Sequence, residues 1–68
     1  FHPLGELALG ESAQIECIFL EDKVKSSLES AGLKIEAIIR RENSGFFINQ
    51  TKVEMTKRIS DSIIVRKV

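Results

Sequence analysis

Apolar and polar residues alternate along this chain in short runs, and one run breaks the rhythm. From Ser12 to Phe19 the period is two. Ala13, Ile15, Cys17 and Phe19 fall on one side, and Gln14 and Glu16 on the other. That is the pattern of a half-buried strand. Ile18 and Leu20 interrupt it near the end, which implies cover from a helix or a partner. From Asp22 to Ala31 the period becomes helical, with Val24, Leu28 and Ala31 at i, i+4 and i+7. Asp22 is the expected N-cap and Gly32 the expected left-handed stop. So short a helix does not persist alone and must lean on the strands around it. After Gly32-Leu33 the chain becomes extended from Ile35 to Arg41.

The remaining segments are shorter. Pro3 to Glu11 reads as a loop anchored by Leu4, Leu7 and Leu9, with Gly10 supplying a turn before the first strand. Asn43-Ser44-Gly45 signals a hairpin turn, and Phe46 to Asn49 follows as a strand whose two phenylalanines face opposite ways. Gln50-Thr51 marks a second turn. In Lys52 to Thr56, Val53 and Met55 point inward. Thr56 is placed to cap a single helical turn, Lys57 to Asp61. Ser62 to Arg66 closes the chain as a β-branched strand. The predicted fold is mainly β with one short helix: a small SH3-like barrel of five strands with a helical insert, formed as a single domain over residues 1–68.

Composition changes this picture little. A 68-residue chain that is 43% hydrophobic and 29% charged is an ordinary globule with a filled core and little room for a deep pocket. It has neither a run of about 18 apolar residues nor a charged-then-apolar leader, so a cytoplasmic location without membrane insertion is expected. Cys17 is the only cysteine, which fits a reducing compartment. The formal net charge is zero, but Phe1–Leu33 carries two basic residues against six acidic ones, and Lys34–Val68 eight against four. Either the fold brings the halves together, or a basic face awaits an anionic partner.

Candidate chemistry is sparse. His2, Cys17 and Met55 are the soft or imidazole ligands, and none has a partner at metal-ligand spacing, so no metal site is expected. Cys17 is expected to be a small buried hydrophobe, and His2 a surface residue in a mobile end. No nucleophile has an evident base, and Gly5-x-x-x-x-Gly10 lacks the Lys-Ser/Thr that would hold a nucleotide. The chain is therefore expected not to be an enzyme and to hold no cofactor. Arg40, Arg41, Lys57, Arg58, Arg66 and Lys67 with Phe46-Phe47 sketch a nucleic-acid surface, but zero net charge and few aromatics disfavour it. Asn49-Gln50-Thr51 spells a glycosylation acceptor, here expected to be a turn.

The order of motifs is more telling than any one of them. Pro-Leu-x-Glu-Leu-x-x-Gly-Glu opens the chain, from Pro3 to Glu11. A strand follows, then a helix ending in Leu28-x-x-x-Gly32-Leu33, then a strand ending in Arg40-Arg41. A Gly45 turn and a closing segment from Met55 to Val65 complete it. This order, from Pro3 to about Arg66, resembles the FeoA family, small cytosolic proteins that accompany the ferrous iron transporter FeoB. The family usually places a Pro-Gly-type turn after Gly-Leu. Here Lys34 runs directly into Ile35, so either the turn is deleted or Gly32 fills it.

The resemblance implies a cytosolic accessory module supporting ferrous iron transport, with family-level transition metal ion binding. It further implies docking on the cytoplasmic part of FeoB, a peripheral position at the inner face of the membrane through that partner, and a monomer or weak oligomer. Leu33, Arg40, Arg41 and Phe47 are the expected partner-binding residues. The same domain closes some iron-dependent transcriptional repressors, which is the alternative reading; a nucleic-acid-binding barrel is a weaker one.

Overall fold

The computed structural model describes Phe1–Val68. Six strands form one antiparallel sheet in the order β1-β6-β2-β3-β4-β5. They are β1 (His2–Pro3), β2 (Ser12–Ile18), β3 (Ile38–Glu42), β4 (Gly45–Ile48), β5 (Thr51–Val53) and β6 (Ile63–Lys67). A 3-10 turn spans Leu4–Glu6, helix α1 spans Asp22–Glu29, and a short helix α2 spans Lys57–Asp61. The mainly β, SH3-like architecture expected from the sequence is present. The sixth strand comes from the supposed opening loop, where His2 and Pro3 pair with Val65 and Ile64. His2 is thus tied to the sheet edge, and its Nδ1 lies 3.8 Å from Glu6.

The core gathers one side chain or two from nearly every element. Leu4, Leu7, Ala13, Ile15, Leu28, Leu33, Ile39, Ile48, Val53, Ile63 and Val65 are buried together. In β2 the inward alternation stops after Ile15. A bulge follows, with Ile15 opposite Val65 and Cys17 opposite Ile64, so one extra residue enters β2. The slip reverses every later side chain. Ile18 packs against the core, whereas Cys17 is exposed and Phe19 is 69% exposed. The expectation of Cys17 and Phe19 as inward residues is corrected by this bulge.

The cap of helix α1 lies one residue earlier than expected. Glu21 stands at the N-cap without a side-chain capping bond, and Asp22 already lies in the first turn. Its end is sharper. Gly32 adopts φ 99°, Leu33 N–H donates to Leu28 O at 3.1 Å, and Gly32 N–H donates to Glu29 O at 3.0 Å. This paired pattern is a Schellman stop, and it brings the apolar residue after the glycine back onto the helix.

Two type II turns shape the rest. In Ala8 to Glu11, Glu11 N–H donates to Ala8 O at 3.0 Å and Gly10 has φ 84°. Leu9 occupies the tip and is 60% exposed, so it is no anchor. In Lys34 to Ala37, Ala37 N–H donates to Lys34 O at 3.1 Å and Glu36 has φ 75°. The turn after Gly-Leu is therefore neither deleted nor moved. Ile35-Glu36 builds it without proline or glycine, and β3 starts only at Ile38.

Candidate partner-binding face

Strand β3 sorts its residues to two faces. Ile39 is buried, so Ile38 and Arg40 face outward and are exposed. Arg40 lies opposite Phe47 of β4, Phe47 opposite Lys52 of β5, and Arg40 also opposite Ser12 of β2. One outward row thus runs Lys52, Phe47, Arg40, Ser12. The next row runs Ile38, Gln14, Arg66. Directly opposite and diagonal side chains on one face lie within reach of each other. The result is a half-buried Phe47 and a 47% exposed Ile38 among long cationic side chains.

Those cations are not free. Arg40 Nε donates to Glu42 Oε2 at 2.9 Å, and its Nη2 bonds the same oxygen. Arg66 Nη2 donates to Gln14 Oε1 at 2.8 Å, and its Nε lies 3.2 Å from Glu16. Lys52 Nζ lies 3.7 Å from Glu54. Exposed pairs of this kind contribute little to stability, but they neutralise the face locally. The pairs Arg66–Glu16 and Lys67–Glu11 also join the acidic first half of the chain to the basic second half.

Of the four residues expected to meet a partner, the structure brings Arg40 and Phe47 together on this face. Leu33 has no exposed surface and belongs to the core. This is a correction to its expected place at a contact surface. The Schellman stop was the signal that could have found it, because the residue after the glycine there packs on the helix. Arg41 points the other way. Its Nη1 donates to Leu7 O at 2.6 Å and to Gly5 O at 3.3 Å, and its guanidinium carbon stands 5.6 Å from the Phe46 ring centroid. Arg41 clasps the opening segment against the β3–β4 hairpin. Ile38 was missed as a candidate. The doubled Ile38-Ile39 carried the signal, since adjacent strand residues face opposite ways and only one can enter the core.

Two concavities lie off this face. One, of about 520 Å³, is lined by Phe19, Leu20, Val24 and Ile59 together with polar residues that include Glu21 and Arg58. The other, of about 340 Å³, lies beside Arg41 and reaches α2. The Ala8 N–H, which donates to Glu11 Oε1 at 2.8 Å, holds that carboxyl below the usual glutamate range, and Lys67 adds to this against partial desolvation. No group of three or more His, Cys, Asp or Glu side chains is arranged to hold a metal ion. No helix is long and apolar enough to cross a membrane.

The six-stranded sheet with its two short helices and a mixed apolar and charged outer face defines a small SH3-like β domain. A crystal structure of an iron uptake regulatory protein, FeoA, shares its fold at a TM-score of 0.83. The match covers 98% of this chain and 96% of that one at 24% sequence identity. The chain has a FeoA-like fold, as the order of its motifs suggested. No family model matches the chain. No curated protein matches it either.

Proposed function

We propose that this chain is a single accessory module of ferrous iron uptake that acts by docking, without catalysing a reaction, on the cytoplasmic part of a FeoB-type transporter. The observation that carries the reading is the near-complete structural correspondence, 98% of this chain on 96% of the other, with a protein described as an iron uptake regulator. The contact is made by the outer sheet face, through Phe47 and Arg40 with Ile38 beside them. Phe47 and Ile38 supply desolvation, and the Arg40–Glu42 pair supplies orientation. Docking regulates the partner to the extent that it binds one of the partner's conformations more tightly than another. The module works at the inner side of the membrane through that partner.

An amide chemical-shift titration with the cytoplasmic G-domain of FeoB tests this. Shifts confined to β3, β4 and β5, and a loss of at least about tenfold in affinity for a Phe47→Ser, Arg40→Ser double variant that keeps its fold, are expected. An unshifted spectrum, or shifts that survive the double variant, would overturn the docking reading.

A further inference from the structure

The concavity beside Arg41 holds charges of both signs that do not meet. Arg41, Lys57 and Asp61 line it, and none of them pairs with another side chain within 4.0 Å. This contrasts with the outer face, where the cations are matched to acids. Only Nη1 of Arg41 is used by the Gly5 and Leu7 carbonyls; its Nε and Nη2 donate to nothing in the protein. The Oγ of Thr56 accepts from Ile59 N–H at 3.2 Å, which leaves its own proton free to donate. Phe46 and Met55 add an apolar wall. A volume of about 340 Å³ is at the small end of ligand pockets.

Gly5 supplies a second observation. Its backbone is not in the left-handed region, so conformation does not demand glycine there. Space does: a Cβ on Gly5 would stand 2.8 Å from Asp61 Oδ1. The missing side chain lets the Asp61 carboxylate rest against the 3-10 turn in the lining of this pocket.

We infer that this pocket binds a small zwitterion of the apolar α-amino-acid class. The ligand carboxylate is held by the free edge of Arg41 and by Lys57, its ammonium by Asp61, and its side chain rests on Phe46 and Met55. A simple anion satisfies Arg41 and Lys57 but leaves Asp61 without a partner. A simple amine meets Arg41 and Lys57. Only a ligand carrying both charges on a short skeleton satisfies all three groups. The site lies on the other side of the sheet from Arg40 and Phe47, so it stands or falls independently of docking on a transporter.

The test is an amide chemical-shift titration of the full chain with three probes: leucine, 4-methylpentanoate (which lacks the amine) and 3-methylbutylamine (which lacks the carboxylate). Leucine is expected to shift Phe46 and the residues from Met55 to Asp61, with each truncated probe binding at least about fivefold more weakly. Lys57→Ala is expected to weaken leucine about fivefold or more. Asp61→Asn is expected to erase the preference for leucine over 4-methylpentanoate. Gly5→Ala, whose added Cβ displaces Asp61 from its place against this lining residue, is expected to do the same in part while the spectrum stays that of a folded protein. Equal response to the three probes, shifts at Phe19 and Val24 instead, or no saturable shift with leucine would each overturn the assignment.

Discussion

Glu36 holds a backbone conformation that its side chain does not favour. At φ 75° it fills the third position of a type II turn, where glycine or asparagine is usual. Neighbouring bonds keep it there: Glu36 N–H donates to Ile15 O at 2.8 Å, and Ile15 N–H donates to Ala37 O at 2.9 Å. A left-handed non-glycine residue costs roughly 1–2 kcal/mol, and glycine adds back roughly 0.5–1 kcal/mol of chain entropy. Glu36→Gly is therefore expected to stabilise the protein by about 0.5–1 kcal/mol, raising the thermal midpoint by roughly 2–8 °C. Glu36→Ala separates backbone from side chain: a gain equal to that of glycine would place the cost in the carboxylate instead. This turn was illegible in the sequence because no residue in Lys34 to Ala37 announces a positive φ. Thr56, by contrast, was legible, since a threonine before a short polar helix has one obvious use, and its Oγ does accept from Ile59 N–H. Glu11 contributes acid sensitivity at this scale. Its folded pKa is depressed, so its contribution is complete above the ordinary glutamate range and is lost as pH falls through the lowered value. Urea unfolding at neutral and strongly acidic pH is expected to show a smaller pH dependence in Glu11→Gln than in the parent.

Among the elements, the joins decide more than the elements themselves. The alternation of β2 was readable as far as Ile15, and the bulge beyond it was not, because one inserted residue leaves the hydrophobic pattern looking continuous. Only the out-of-step Ile18 and Leu20 hinted at it. The stop of α1 was readable from Gly32 alone. Gly32→Ala forces a side chain at φ 99° and puts a Cβ 3.3 Å from Ile48 Cγ2. A loss of about 1–2 kcal/mol in urea unfolding is expected, with the strain and not the contact as its main source. Arg41 is the other join, and its role could not be read from Arg40-Arg41, where both looked like surface cations. One guanidinium holds two carbonyls of the opening segment and stacks on Phe46. Charged hydrogen bonds contribute about 1.5–3 kcal/mol and an exposed cation–π contact about 0.5–1 kcal/mol. Arg41→Ala is expected to cost about 2–3 kcal/mol, a large share of the stability of so small a domain. Hydrogen exchange at Leu7 N–H, which donates to Leu4 O at 3.0 Å, should quicken with it. Unchanged exchange there would mean the opening segment is held by Leu4 and Leu7 burial alone.

For the whole molecule, folding redistributes the charge that the sequence separates. The acidic first half and the basic second half meet along β2 and β6, where Glu16 pairs with Arg66 and Glu11 with Lys67. Charge counted along a chain says nothing about neighbours in a sheet, which is why the sequence left two readings open. On the outer face Arg40, Lys52 and Arg66 each have an acid within reach, so none is available to a phosphate without breaking a pair. Apart from Arg41, which is held by carbonyls, the cations without an acidic partner, Lys23, Lys25, Lys34, Lys57 and Arg58, lie on the two helices and the exit of α1 rather than in one stripe. This decides how binding should depend on salt. A surface that neutralises six to ten phosphates loses about 10³–10⁵ in affinity between roughly 50 mM and 200 mM salt. A face that works through Phe47 and Ile38, with its cations already neutralised, releases few counterions. Affinity for the FeoB G-domain, followed by fluorescence anisotropy over that salt range, is expected to change by less than about threefold. A labelled single strand of about 20 nucleotides is expected to show no saturable binding at about 150 mM salt. A steep salt slope for the protein partner would relocate the contact to the unpaired helix cations, where Lys57→Glu and Arg58→Glu would then abolish it while Phe47→Ser would not.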